Sequence, residues 1–269
     1  MPKPLAGRVA VVTGASRGIG VGIARCLAAE GASVAVAARS RAGLEATCAA
    51  IGAEGGRALA VPADVSRESE VREMIRTAAR SLGPIDFLVN NAGVHGDDDW
   101  SDHYPEETRD WEKAFRVNTL SRVWACEEVL PSMKQRRFGR IVNVSSVAAL
   151  EGQPAHVAYN ATRAAELSYT QSLAKEVGAW SITVNAILPG LVETEMAESL
   201  WKHIGRRYGA AAAGPDPRTW FENTVKQLTP LRRPQTPEDI GWLAAFLCSE
   251  RARNITAQAI NVDGGMRVH

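Results

Sequence analysis

Three glycines within seven residues form the first arrangement in this sequence that could do chemistry. Gly14, Gly18 and Gly20 follow a short run of β-branched residues and open a segment with helical spacing. Glycine permits a tight turn and lets backbone N–H groups approach a pyrophosphate, whose charge then lies at a helix N-terminus. A glycine triplet alone is weak evidence, but here it stands in the required strand–turn–helix context. The turn therefore predicts a dinucleotide site, with Ser16 and Ile19 among its residues.

The residues after the second apolar run favour NADP over NAD. A carboxylate there would hydrogen-bond the adenosine ribose and select NAD, but the sequence reads Ala37-Ala38-Arg39-Ser40. Arg39, joined by Arg17 from the glycine turn, could instead bind a 2′-phosphate, because a guanidinium fork matches phosphate geometry. The alternative is that both arginines are solvated surface charges. Asp64, which precedes Val65 after the third run, either accepts from the adenine amino group or caps a helix.

Short apolar runs alternate with segments of helical spacing along the chain. Runs that are apolar throughout are typical of strands covered on both faces. The predicted strands are Val9–Val12, Val34–Ala37, Leu59–Ala63, Phe87–Val89, Ile141–Val144, Ile182–Leu188 and Ile260–Val262. The predicted helices are Gly18–Glu30, Arg41–Ala53, Ser66–Ser81, Thr108–Arg136, His156–Gly178 and Pro237–Glu250. This order predicts an α/β fold: one domain over residues 1–269, with a doubly wound Rossmann-type parallel sheet of about seven strands and helices on both faces.

Two segments lie outside this pattern. Residues 191–233 contain no convincing strand, and a connection of that length in a compact domain predicts a substrate-binding lid. An acidic run, Asp97-Asp98-Asp99, is followed by Trp100 and His103. It either favours a cationic substrate or is simply exposed, as charge runs usually are.

The composition excludes several classes of protein. With 31 basic and 30 acidic residues, the formal net charge of +1 argues against binding to nucleic acid or an anionic membrane. The basic group Lys134, Arg136, Arg137 and Arg140 is interpreted as a solvated loop and helix end. Four widely separated cysteines show no zinc-site spacing, which predicts a reduced, cytoplasmic protein without a metal site. No apolar stretch approaches the roughly 20 residues that span a bilayer.

Further motifs resemble the short-chain dehydrogenase/reductase family over nearly the whole chain. Besides the glycine turn, they are Asn90-Asn91-Ala92-Gly93, Asn118, Ser145-Ser146, Tyr159, Pro189-Gly190 with Thr194, and Asn261-Val262-Asp263-Gly264-Gly265. Several motifs in the right order and at compatible spacings make the resemblance specific, whereas any single one would not. Within the family, the sequence is similar to the 3-oxoacyl carrier-protein reductases and related small-ketone reductases.

The resemblance implies hydride transfer between nicotinamide C4 and a carbonyl or alcohol carbon, with Tyr159 as acid or base. An ordinary phenol, with a pKa near 10, is about one part in a thousand ionised at neutral pH, so base chemistry needs a nearby positive charge. The family places a lysine four residues further along the helix, on the same face, and this chain has Arg163 there. A unit charge ~4 Å away at an effective dielectric near 20 is worth about 4 kcal/mol, or about three pKa units. Arg163 is therefore predicted to lower the pKa of the tyrosine, although turnover should fall if its bulkier guanidinium cannot bond the nicotinamide ribose.

The resemblance also assigns the remaining site residues. Ser146 lies thirteen residues before Tyr159, the family's separation for the serine that orients the substrate carbonyl, and Ser145 is its rival. Asn118 would hold a water that links position 163 to solvent, and the alternative is a buried amide that braces a helix. The implied cofactor contacts beyond the glycine turn and the adenosine end are Asn91, Ala92, Gly93, Tyr159, Arg163, Pro189, Gly190, Val192 and Thr194.

Two hypotheses follow for function. The first is an NADPH-dependent ketone reductase, reversible as an alcohol dehydrogenase. The second is an NADP-binding protein that has lost efficient catalysis through the arginine at position 163 and acts as a sensor or partner subunit. A serine hydrolase is disfavoured because Ser145 and Ser146 lack the flanking glycines of a nucleophile elbow. Family members are commonly tetramers, so we expect a homotetramer, with a dimer as the alternative.

Overall fold

The apolar runs form seven strands, as predicted, and the observed ends differ from the predicted ones by at most two residues. The structure is a computed structural model that describes residues 3–152, 154 and 156–268. The strands are β1 (Val9–Thr13), β2 (Ser33–Ala38), β3 (Arg57–Pro62), β4 (Phe87–Asn90), β5 (Gly139–Val144), β6 (Ile182–Pro189) and β7 (Ala259–Val262). They form one sheet in the order β3-β2-β1-β4-β5-β6-β7, and each neighbouring pair is parallel.

Helices connect the strands and cover both faces of the sheet. They are α1 (Gly18–Ala29), α2 (Arg41–Ala53), α3 (Glu68–Leu82), α4 (Thr108–Ala114), α5 (Ser121–Arg136), α6 (Val157–Val177), α7 (Glu195–Tyr208), α8 (Ala210–Ala213), α9 (Pro217–Leu228) and α10 (Pro237–Cys248). A π-helical turn, Phe115–Leu120, separates α4 from α5, where the sequence predicted one continuous helix. Residues 191–233, predicted as a lid, contain α7, α8 and α9.

The core consists of two apolar layers, one on each face of the sheet. Neighbouring residues of β1 point to opposite faces, so that Val12 packs in one layer and Val11 in the other. The first layer includes apolar residues of α1, α2 and α10, and the second includes those of α3, α5 and α6. Each fully buried valine of this kind contributes about 1.5–3 kcal/mol. The carboxyl ends of the strands are thereby held in a rigid frame.

The order of the strands reverses between β1 and β4, and ligands bind at such a point in open α/β sheets. Side chains join the two loops that leave these strands. Thr13 Oγ1 accepts from the backbone N–H groups of Asn91 and Ala92, at 3.0 and 3.1 Å. Asn91 Nδ2 donates to the Thr13 carbonyl oxygen at 2.9 Å. The glycine turn after β1 and the segment after β4 therefore lie side by side.

At the amino ends of the strands, the surroundings of Arg140 differ from the prediction. Arg140 is not solvated, since it is only 3% exposed. Its guanidinium lies 4.5 Å from the centre of the Phe138 ring, and Nη2 is 3.2 Å from the Glu250 carboxylate. Burial lowers the pKa of Arg140. The side chain is covered because it stands on β5, a strand in the interior of the sheet.

Among the described residues, none of the helices combines the length and the apolar character that crossing a membrane requires.

Candidate active site

The turn between β1 and α1 has the backbone shape that a pyrophosphate site requires. Gly14 and Gly18 have φ values of +67° and +53°, in the region that favours glycine. A Cβ at Gly20 would overlap the carbonyl oxygen of Gly14, so the helix can approach the turn this closely only without a side chain. No described side chain caps the N-terminus of α1, whose N-cap residue is Arg17. This cradle fits the diphosphate of a dinucleotide.

Two exposed ion pairs lie at the adenosine end of the predicted site. Arg39 Nη1 is 3.6 Å from Asp98 Oδ1, and the two side chains are 57% and 74% exposed. Arg17 pairs with Glu195 at the start of α7. Exposed pairs of this kind contribute at most about 1 kcal/mol, so a phosphate could replace either carboxylate. Ser40 caps α2 by accepting from the Gly43 N–H at 3.2 Å.

Asp64 lies near Arg39, just beyond β3. Its Oδ1 accepts from the backbone N–H of Ser66 at 2.9 Å. Partial burial works against ionisation, but the hydrogen bonds from Ser66, helped by the charges of Lys113 and Arg39, lower the pKa of Asp64. The carboxylate therefore stays charged, and it caps the turn that leads to α3. Both alternatives from the sequence are compatible with this position.

The residues predicted to contact the nicotinamide lie beyond β4 and β6. Pro189 ends β6, and the Gly190 N–H donates to the Val262 carbonyl oxygen at 3.0 Å. Val192 makes an isolated parallel bridge beyond the strand. Thr194 is the N-cap residue of α7, and its methyl group would lie 3.2 Å from a Cβ at Gly18. The start of α7 is thus packed on the glycine turn.

Tyr159 and Arg163 lie one turn apart on α6, and both side chains are buried. Arg163 Cζ is 4.6 Å from the centre of the Tyr159 ring, which is cation–π geometry. On the cofactor side, a Cβ at Gly93 would overlap Nη2 of Arg163, so this position accommodates the guanidinium because it is glycine. The guanidinium therefore extends from beneath the tyrosine ring to the segment that follows β4.

Three charged side chains, which we call the Arg122–Glu166–Arg163 cluster, lie behind Tyr159. Arg163 Nη1 donates to Glu166 Oε1 and Oε2, at 2.9 and 3.1 Å, and to the Val144 carbonyl oxygen at 3.2 Å. Arg122 Nη1 is 3.4 Å from Glu166 Oε1, and Nη2 donates to the same Val144 oxygen at 3.0 Å. Burial lowers the pKa of Arg122 to about 10. Burial also opposes the charge of Arg163, but Glu166 and the tyrosine outweigh it and raise its pKa.

Arg122 and Glu166 belong to no motif that indicates a functional site. Each lies on a helix, where a charged residue normally faces solvent, and 44 residues separate them in the chain. The only local signal is the spacing of Arg163 and Glu166, three residues apart, which places them on one helix face.

The two serines after β5 have different partners. Ser145 is buried, and its hydroxyl donates to the Arg163 carbonyl oxygen at 3.1 Å. Ser146 is half-buried and its Oγ accepts from the Ala148 N–H at 3.1 Å, an interaction that leaves its own proton to be donated. This difference favours Ser146 as the donor to a substrate carbonyl.

Asn118 lies in the π-helical turn and is fully buried. Its Nδ2 donates to the Val94 carbonyl oxygen at 2.8 Å and to Thr162 Oγ1 at 2.9 Å, and its Oδ1 accepts from the Val94 N–H at 2.9 Å. Its backbone carbonyl accepts from Arg122. These contacts are those of a buried amide that braces a helix, which was the alternative prediction for Asn118. The water that Asn118 would hold stays a prediction.

Histidine and tryptophan rings form a wall beside Tyr159. The centres of the His95 and His156 rings are 4.6 and 5.8 Å from that of the tyrosine. Trp100 stacks on His203 of α7 at 4.1 Å. Burial lowers the pKa of His156 to about 4 and that of His95 well below its ordinary value, so both imidazoles are neutral at pH 7. The sequence analysis missed His95 and His203, whose surroundings depend on the position of α7.

Two arginines from outside the acidic loop that precedes α4 pair with its carboxylates. Arg109 Nη2 is 2.9 Å from the Asp99 carboxylate and Nη1 is 3.9 Å from that of Asp97, while Asp98 faces Arg39. These pairs favour the exposed-loop interpretation over a site for a cationic substrate.

Comparison with known proteins identifies the family to which this chain belongs. The family model described as short chain dehydrogenase matches residues 8–205, and the chain belongs to this family. It is 37% identical over 265 residues to a 3-oxoacyl-[acyl-carrier-protein] reductase of Synechocystis sp., with coverage of 97% of this chain and 98% of that protein.

Solved structures give the same result. Actinorhodin polyketide ketoreductase, solved with NADPH, superposes with a TM-score of 0.88 at 32% identity, covering 99% of each chain. Levodione reductase gives a TM-score of 0.86 at 30% identity, covering 97% of this chain and 98% of that one. The predicted family and the Rossmann-type fold are confirmed. The protein is an oxidoreductase of a family that uses NAD or NADP.

Proposed function

We propose that the protein reduces a ketone to a secondary alcohol with NADPH. The observation that carries this proposal is the guanidinium of Arg163, which lies 4.6 Å from the Tyr159 ring centre at the edge of the sheet where the dinucleotide cradle lies. The 3-oxoacyl-[acyl-carrier-protein] reductase, the polyketide ketoreductase and the levodione reductase to which this chain is similar support the reaction class.

Each residue at the site has one part in the proposed reaction. When bound, the reduced nicotinamide supplies a hydride to the carbonyl carbon. Ser146 donates a hydrogen bond to the carbonyl oxygen and stabilises the negative charge that grows on it. Tyr159 donates its phenolic proton to the same oxygen. Arg163 supplies the positive charge that stabilises the resulting phenolate, and it keeps its own proton throughout.

We assign the preference for NADPH to the adenosine end of the site. No carboxylate stands at the end of β2, where Arg39 and Ser40 follow Ala38. Arg39 and Arg17 are held only by exposed carboxylates, which a 2′-phosphate can displace because it carries more charge and a matching geometry. The proposed ligands of the phosphate are these two guanidinium groups.

One observation favours the second hypothesis, binding of NADP without efficient catalysis. Arg163 Nη1 donates to Glu166 and to the Val144 carbonyl oxygen, in the interior of the protein. Because these bonds set its direction, the guanidinium has less freedom to follow a cofactor than a lysine would have.

The test is NADPH consumption with a panel of ketones, measured for the wild type and for Arg163→Lys. We expect turnover by the wild type and a higher rate with NADPH than with NADH. Tight binding of NADPH without turnover by either protein would reject the reductase and leave the binding protein.

We also propose that the chain forms a homotetramer in the cytoplasm. Trp242 and Phe246 lie one turn apart on α10 with about half of each side chain exposed, and a second copy could cover them. Light scattering after size-exclusion chromatography should give four times the chain mass for the wild type, and Trp242→Glu should reduce it. A monomeric wild type would reject this assembly.

A further inference from the structure

The Arg122–Glu166–Arg163 cluster contains one more positive than negative charge, unlike a simple buried ion pair. Its members are 1%, 1% and 3% exposed, and two arginines share a single carboxylate. With all three groups ionised the cluster has a net charge of +1, next to Tyr159. Burying a charge without a partner costs several kcal/mol, so this one carboxylate has to serve both guanidinium groups.

The geometry shows what the carboxylate does for Arg163. Glu166 accepts two of the three hydrogen bonds from Nη1, and the third goes to the carbonyl oxygen of Val144. Both arginines bond this same oxygen, which ends β5 directly before the two serines. With Nη1 fixed in this way, Cζ lies under the Tyr159 ring and Nη2 points at Gly93.

We propose that Glu166 is a positioning residue for Arg163, and that Arg122 holds Glu166, so that the arginine acts as the cation beside Tyr159 only as a member of this cluster. The kinetic part of this proposal rests on the proposed reductase function, whereas the placement of the guanidinium does not.

The ionisation of Tyr159 reports the position of the guanidinium. The titratable side chains in contact with the Tyr159 ring are Arg163, His95 and His156. Those that lie next to these residues or to the tyrosine backbone are Arg122, Glu166, His203 and Glu106. Burial lowers the pKa of both histidines, to about 4 for His156, so neither changes its charge above neutral pH. A shift of the tyrosine titration therefore reports a change in the charge or the position of the cluster, including Arg122, whose pKa burial lowers to about 10.

The experiment is the ultraviolet difference titration of the tyrosinate, with the signal of Tyr159→Phe subtracted, in the wild type and in Glu166→Gln. The two possible effects have opposite signs. Loss of the carboxylate's negative charge alone makes the phenolate easier to form and lowers the midpoint. Loss of the guanidinium from its place makes the phenolate harder to form. We expect the midpoint to rise by about one pH unit. At neutral pH, kcat for alcohol oxidation, the direction that needs the phenolate, should fall about tenfold. An unchanged or lower midpoint would overturn the proposal.

A matched control separates positioning from the general cost of removing a buried carboxylate. Asp86 is also buried and binds two arginines, Arg8 at 3.2 Å and Arg136 at 2.8 Å, but it precedes β4 at the opposite edge of the sheet. Asp86→Asn should lower stability and leave both the tyrosine midpoint and kcat unchanged. If it shifted the midpoint as Glu166→Gln does, the effect would be a general loss of stability and the proposal would fail.

Two further variants test the same proposal: a double variant that lacks Arg163, and Glu166→Asp. In an Arg163→Met background, Glu166→Gln should change kcat less than about twofold, because the residue that it positions is gone; a full tenfold loss there would contradict positioning. If Glu166→Gln does not fold, Glu166→Asp retains the charge at a shorter reach and should move the midpoint in the same direction; no upward shift would overturn the proposal. An inactive wild type would reject the reductase function, and the titration would still decide the placement of Arg163.

Discussion

Replacing Arg163 by methionine removes the cation beside Tyr159. Methionine is unbranched and favours helices about as well as arginine does, so α6 should be retained. The separation of 4.6 Å between Cζ and the ring centre gives the scale of the effect. At an effective dielectric near 20, a unit charge at that distance is worth about 3.6 kcal/mol, or about 2.6 pH units. Because Arg122, whose pKa is about 10, and Glu166 remain ionised at neutral pH and offset each other, the net charge behind the tyrosine falls there from +1 to zero. This magnitude is an upper bound for the loss.

The assay is alcohol oxidation with NADP⁺, followed as kcat from pH 6 to pH 11, because this direction needs the phenolate. At pH 7 the Arg163→Met variant should lose up to about 400-fold in kcat, and its pH profile should move to higher pH by up to about 2.6 units. The dissociation constant for NADPH should change less than the rate does, because the cradle for the diphosphate is intact.

Arg140→Met provides the comparison, since Arg140 is as buried as Arg163 but lies at the far edge of the sheet. It should lower the free energy of unfolding without moving the pH profile. An Arg163→Met variant with the pH profile of the wild type would refute the electrostatic reasoning, whatever its stability.

Three further predictions concern other residues. Arg39→Asp should weaken NADPH binding about 10- to 100-fold and improve the use of NADH, because charge-assisted hydrogen bonds are worth about 1.5–3 kcal/mol; an unchanged ratio of kcat/KM for the two cofactors would show that Arg39 does not bind the phosphate. Ser146→Ala should lower kcat about 10²- to 10³-fold, whereas Ser145→Ala should lower it much less, and equal losses in steady-state assays would contradict the assignment. The hydrogen bond to Asp110, at 2.8 Å, raises the pKa of His103, so its stabilisation is present below about pH 6.5 and lost as the pH rises through the folded-state pKa. Urea unfolding of the wild type should therefore weaken from pH 6 to pH 8 relative to His103→Gln, and parallel pH dependences would argue against it.

The strands could be predicted closely because each is a short, continuous apolar run, and burial on both faces leaves that local signal. The π-helical turn could not, since the partners of Asn118 come from other parts of the chain: Val94 lies 24 residues before it and Thr162 lies 44 residues after it. Residues 191–233 were predicted to be a lid because they lack a strand, and that role stays a prediction. Their division into three helices followed from no motif.

The predicted site residues were taken from motifs, and the surroundings of one of them, Arg163, could not be predicted. The resemblance to the family implies that Arg163 stands in the position of a lysine, and its charge alone predicts that it can stabilise the phenolate. Its direction depends on Glu166 and Arg122, two charged residues that solvent would normally surround. Their charges come together only in the fold, where the Arg122 side chain reaches Glu166 of α6 and the carbonyl oxygen at the end of β5.

The transfer of deuterium from 4-deuterated NADPH to a ketone tests the account most directly. Mass spectrometry of the alcohol should find the label on the carbinol carbon when the wild type is used, and no labelled alcohol when Tyr159→Phe is used, although that variant should bind NADPH as tightly. Labelled alcohol formed at the wild-type rate by Tyr159→Phe would contradict the role of the tyrosine. Absence of label with the wild type across the ketone panel would contradict the reductase itself.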